Sequence, residues 1–183
     1  MSSWDDLDSD QQWAYIASAL GTLSSFADGK VKDDREDNSQ MHFTGTYLGR
    51  PLRIIVDSDG KPEVHIKVKA HERGHISVDY DPEAVPKPPG DPIWDADESV
   101  RLFLAPGVFI DEPPSDLEEM KARLTPAMPR LIPDLLVAGN AGRVIVSEEE
   151  IEMSWFHNRV VDGDFAGRMR AMLDLAEQLA REL

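Results

Sequence analysis

His71-Glu72-Arg73-Gly74-His75 carries the letters of the zinc-peptidase string H-E-x-x-H. In that chemistry two imidazoles one helical turn apart hold a zinc ion while the glutamate activates its bound water, so the string works only on a helix. The flanking residues keep a different rhythm. Upstream, Val64, Ile66, Val68 and Ala70 alternate with Glu63, His65, Lys67 and Lys69; downstream, Ile76, Val78 and Tyr80 alternate with His75, Ser77 and Asp79, and Pro82 closes the run. That is the two-residue period of strands. A helix needs about ten or more residues of 3.6 period, and none fit between these runs. The spacing therefore predicts a hairpin tip with Gly74 in the left-handed conformation. A zinc hydrolase with His71 and His75 as ligands and Glu72 as base stands as the alternative. It has no third ligand at a familiar spacing, His157 and Glu83 being only conceivable.

Other chemistry has less support. Gly45-Thr46-Tyr47-Leu48-Gly49-Arg50 lies inside a β run and lacks the lysine of a phosphate-binding loop. No serine sits in a nucleophile elbow. With 35 Asp plus Glu in the chain, adjacent carboxylates carry almost no information. There are no cysteines, which removes disulfides, thiolate nucleophiles and Cys-ligated zinc together. No cofactor is expected. One patch runs against the general charge: Arg53, His65, Lys67 and Lys69 fall on the face opposite the apolar residues of their strands, a basic stripe. It either pairs with Asp57, Glu63 and Asp79 across strands or serves self-association or a client.

The elements that must position these residues centre on a meander, Met41 to Tyr80. Leu52, Ile54 and Val56 give a further alternating run, and Asp57 to Pro62 is a tight turn in which Gly60 supplies φ > 0. Before it, Ser9 and Gln12 have capping-box spacing, and Trp13, Ile16, Ala17, Leu20 and Leu23 repeat at three and four residues, predicting a helix from Asp10 to Phe26. Residues 28–40 are charged with almost no apolar side chains and read as a solvated loop. Residues 81–99 hold prolines at 82, 86, 88, 89 and 92 and read as a connection or as a docking segment.

Val100, Leu102 and Leu104, then Val108 and Ile110, predict a strand or bulged pair. Ser115 and Glu118 cap a helix to Leu124, and Thr125-Pro126 starts two short helices or a kinked one, since Pro129 and Pro133 forbid a long straight one. Arg143 to Ser147 and Glu150 to Trp155 form a hairpin. Asp162 or Asp164 then caps a last helix with the stripe Phe165, Met169, Met172, Leu173, Ala176, Leu179 and Leu183.

The sum is one α+β domain over residues 1–183: an antiparallel sheet of five or six strands with helices on one face, in the order α-β-β-β(-β)-α-β-β-α. The net charge of −16 repels phosphates and anionic membranes, so nucleic acid and membrane are not expected as partners, while a basic protein segment is. No signal-peptide pattern or bilayer-length apolar run is present in the sequence, which predicts a cytoplasmic location.

The element order, together with Leu131-Ile132-Pro133-Asp134-Leu135-Leu136, Arg143 to Val146 and Ile151-Glu152-Met153-Ser154-Trp155 before the last helix, resembles the class I type III secretion chaperones. Gly45 to Leu52 and Gly90-Asp91-Pro92-Ile93-Trp94-Asp95 resemble an uncharacterised bacterial family of the same build. The first resemblance implies a non-catalytic, homodimeric protein that binds an extended client; a structural subunit of a larger assembly is a further alternative.

Overall fold

Alternation of apolar and polar residues builds most of this chain, and in the computed structural model it yields a single nine-stranded antiparallel sheet. Residues 4–84, 100–112, 117–139, 141–155, 159–160 and 164–183 are described. The elements are α1 (Ser9–Thr22), β1 (Asp28–Asp34), α2 (Arg35–Asn38), β2 (Gln40–Tyr47), β3 (Arg50–Asp57), β4 (Pro62–Lys67), β5 (Ile76–Tyr80), β6 (Val100–Ala105), β7 (Val108–Glu112), α3 (Leu117–Arg123), α4 (Met128–Gly139), β8 (Arg143–Val146), β9 (Glu150–Ser154) and α5 (Phe165–Glu182).

The strands lie in the order β1-β2-β3-β4-β9-β8-β5-β7-β6, nine among the described residues rather than the expected five or six. Two features concern the number of strands and a third their order. Residues 28–34 of the expected loop pair along β2, from Asp28 opposite Thr46 to Asp34 opposite Gln40, and residues 35–38 make the single turn α2. Of the two expectations near Val100, one strand or a bulged pair, the structure has the pair, with a register shift between Phe103 and Ala105. The meander is also interrupted: β2, β3 and β4 are neighbours, but the β8–β9 hairpin inserts between β4 and β5, with His65 opposite Glu152 and Ser77 opposite Ile145.

One face of the sheet is apolar. Phe43, Ile54, Val64, Ile66, Met153, Val144, Ile76, Val78 and Ile110 are fully buried there, in one contiguous core with α1, α4 and α5. Burying each such side chain is worth roughly 1.5–3 kcal/mol, which is what fixes the register, since a one-residue slip would turn every one of them outward. Helix α5 keeps the expected stripe, with Phe165, Met169, Met172, Leu173, Ala176 and Leu179 buried and Asp164 accepting from the Gly167 N–H as N-cap. Two polar ties dock it: Tyr47 Oη donates to Asp174 Oδ1 at 2.6 Å, and Glu177, almost wholly buried, accepts from Arg50 and Arg181. Burial first, then the Asp174 bond, pushes the Tyr47 phenol up to about 12.

The caps shift slightly. Asp8 with Gln11, not Ser9 with Gln12, forms the first capping box, and α1 ends at Thr22 before a 3-10 turn, Leu23–Ser25. Helix α4 begins at Met128, three residues after the expected cap Thr125, and carries Pro133 inside it. The Ser115 cap, the end of the 81–99 segment beyond residue 84, and His157 lie outside the described residues.

Candidate functional site

Residues 68–75 form neither helix nor strand. Gly74 has φ 75°, the expected left-handed conformation, but β4 and β5 are not partners, so the segment is a crossover and not a hairpin tip. It passes over the end of the β8–β9 hairpin, where Val68 N–H donates to the Glu149 carbonyl at 2.8 Å and His71 N–H to the Glu148 carbonyl at 3.0 Å. His71 Nδ1 accepts from the Arg73 N–H at 3.3 Å, while Glu72 and His75 are exposed. With no helical turn, the zinc-peptidase geometry is absent.

The polar face of the sheet brings most of the basic stripe together, but not as a free positive surface. Arg53 stands opposite His65 in the ladder and turns to His42, donating to its Nδ1 from Nη2 at 3.0 Å and from Nε at 3.3 Å. His65 lies between carboxylates, Nε2 at 2.6 Å from Glu63 Oε1 and Nδ1 at 3.1 Å from Glu150 Oε1. Lys67 Nζ is 3.2 Å from Glu150 Oε2. Burial works to raise the Glu150 carboxyl, but the bonds from His65 and Lys67 outweigh it and hold the group below its ordinary value. Lys69 lies past the end of β4, exposed, outside the stripe. Two of the carboxylates that surround His65, Glu150 and Glu152, come from β9, 85 and 87 positions along the chain, and no local spacing in the sequence could announce them.

Among the described residues, one set of three metal-capable side chains converges: single ligand atoms of Glu63, His65 and Glu152 all lie within 4.8 Å of one another. His71, Glu72 and His75 form no such set.

Sequence reasoning gave no prominence to His42. It is 5% exposed, its Nε2 has no hydrogen-bond partner, and Asp34 Oδ2 is 3.5 Å away. Exposed sheet edges, or a groove beside the last helix, are expected from the sequence to take an extended client by strand addition, but the sequence does not say which strands are the edges. Strand β1 is exposed along its length and presents Lys30 and Lys32. Strand β6 pairs only with β7 among the described residues, and its Leu102, Phe103 and Leu104 are half-buried. Arg101, at the start of this edge, is held by Asp111 at 3.1 Å and over the Phe109 ring at 4.3 Å.

No helix among the described residues is long and apolar enough to cross a membrane. No protein-family model matches the sequence, and no curated protein matches it significantly. The fold is similar to the crystal structure of the mycobacterial trehalose monomycolate transport factor A, with a TM-score of 0.58 over 94% of this chain and 94% of that one, at 10% identity. At that identity the likeness shows the fold alone.

Proposed function

We propose that the chain is a non-catalytic module that binds another protein, in a chaperone-like role in the bacterial cytoplasm, by adding an extended segment of that protein to the edge of β6. The contrast between the two sheet edges carries this reading. An edge strand offers a row of backbone N–H and C=O groups to any extended chain, and charged side chains are a common guard against unwanted pairing. On β1 Lys30 and Lys32 stand exposed, Lys32 beside Asp34 at 3.2 Å, and Asp28 and Asp33 put further charge along the strand. On β6 the one charge, Arg101, is neutralised within the pair by Asp111, and the residues after it are apolar.

The register shift after Phe103 leaves residues 100–103 as the regular stretch for pairing. The net charge of −16 favours a basic client, through faster encounter more than through contact energy. The similar structure is described as a transport factor, and a binding role is compatible with that description.

A photo-crosslinking amino acid placed at Phe103, and separately at Val31, tests the proposal in cells producing the full chain. The expected result is a discrete adduct from the β6 position, mapping by mass spectrometry to an extended segment of one protein, and none from the β1 position. Equal adducts from both edges, or none from Phe103, would count against it.

A further inference from the structure

The cluster on the β4–β9 seam has the composition and placement of a metal site. Glu63 and His65 are two apart on one strand and so share a face; Glu152 is the cross-strand partner of His65. Two ligands at i and i+2 with a third directly across the ladder bring three side chains over one point of a sheet face. Their ligand atoms lie within 4.8 Å of one another. Bonds of about 2.0–2.2 Å to one ion put ligand atoms on the order of 3.3 Å apart, so the His65–Glu63 pair, now hydrogen-bonded at 2.6 Å, opens slightly while the set as a whole closes in. The Glu63 side chain, 45% exposed, has room to swing by that amount.

A second observation concerns the far side of the ring. His65 Nδ1 faces Glu150 Oε1 at 3.1 Å, and Glu150 is itself held by Lys67 at 3.2 Å. Imidazole ligands to metals typically donate their other N–H to a carboxylate, which fixes the tautomer and aims the ligating nitrogen. Here Glu150 holds Nδ1, with a lysine anchoring that outer carboxylate, while Nε2 hydrogen-bonds to Glu63 Oε1 at 2.6 Å, the contact that a bound cation would replace. Arg53, the one cation across the ladder from His65, is committed to His42 and does not neutralise Glu63 or Glu152.

We propose that Glu63, His65 and Glu152 bind a divalent first-row transition cation of the zinc class, with Glu150 orienting the imidazole. One nitrogen and two carboxylate oxygens select such ions over calcium and magnesium, which prefer all-oxygen sites. The ion bridges β4 to β9, the seam at which the β1–β4 half of the sheet meets the half that contains β5 to β9. It therefore couples metal binding to the stability of that junction. This inference is independent of the edge strand β6 and of the string at 71–75.

The experiment is calorimetric titration of chelator-treated full-length protein with Zn2+, Mn2+ and Ca2+, alongside thermal unfolding with and without Zn2+. One equivalent of Zn2+ is expected to bind and to raise the unfolding midpoint. Affinity falls about tenfold or more in His65→Ala and in the nearly isosteric Glu152→Gln, is unchanged in His71→Ala, and exceeds that for Ca2+ at least tenfold. Four results would overturn the proposal: no saturable Zn2+ binding below millimolar concentration, binding that survives both His65→Ala and Glu152→Gln, loss of binding in His71→Ala, or Ca2+ binding as tight as Zn2+.

Discussion

His42 is the residue at which burial and charge most clearly oppose protonation. Burial first, then the Arg53 guanidinium, hold its imidazole below the ordinary value of 6.5, with Lys32 adding to the effect and Asp34 opposing it. The unfolded chain takes up a proton near 6.5 while the folded chain does not. The stabilisation is therefore intact above 6.5 and is lost as the pH falls through the lowered folded value. Replacing His42 with Gln is expected to flatten the decline of stability with falling pH between 6.5 and the onset of carboxylate titration near 4.5, followed by urea unfolding across that range. An unchanged slope would contradict it. This residue was not legible beforehand, because a lone histidine in an alternating strand has no spacing signal, and its partner Arg53 comes from another strand. Gly74 was legible as a conformation only: a glycine in the break between two alternating runs readily takes φ > 0, as it does here, although those runs do not pair.

At the scale of elements, β1 shows what periodicity misses. Asp28 to Asp34 contains one apolar side chain, Val31, so its sequence has neither a strand nor a helix period. An edge strand with no buried face needs none, because the ladder to β2 holds it through backbone bonds. Close approach of Gly29 and Gly45 permits that ladder: a Cβ on Gly45 would meet the Asp28 carbonyl oxygen at 2.1 Å and Gly29 Cα at 2.6 Å. Gly45→Ala is thus expected to cost roughly 2–3 kcal/mol. Gly21→Ala, in α1 with open space around it, is expected to gain up to about 1 kcal/mol. Urea midpoints of the two variants should move in opposite directions; a neutral Gly45→Ala would show that the two strands do not pack this closely. The stripe of α5 and the β8–β9 hairpin were legible because each buries a face through local repetition. That β4 and β5 are separated was not, because alternation tells which face a residue takes and is silent on which strand lies beside it.

At the scale of the whole molecule, the proposed role rests on a net charge of −16 and on a sheet whose two edges, among the described residues, differ in charge: β1 is mostly charged and β6 mostly apolar. In the proposed role, charge sets what approaches and backbone groups along β6 set how it binds. Backbone hydrogen exchange across residues 100–105, measured on the full chain alone and then with the partner captured from Phe103, tests this most directly. Strand addition predicts that amides at alternate positions of β6 become protected while those of β1 are unchanged. Protection confined to α4 and α5, or none in β6, would contradict it.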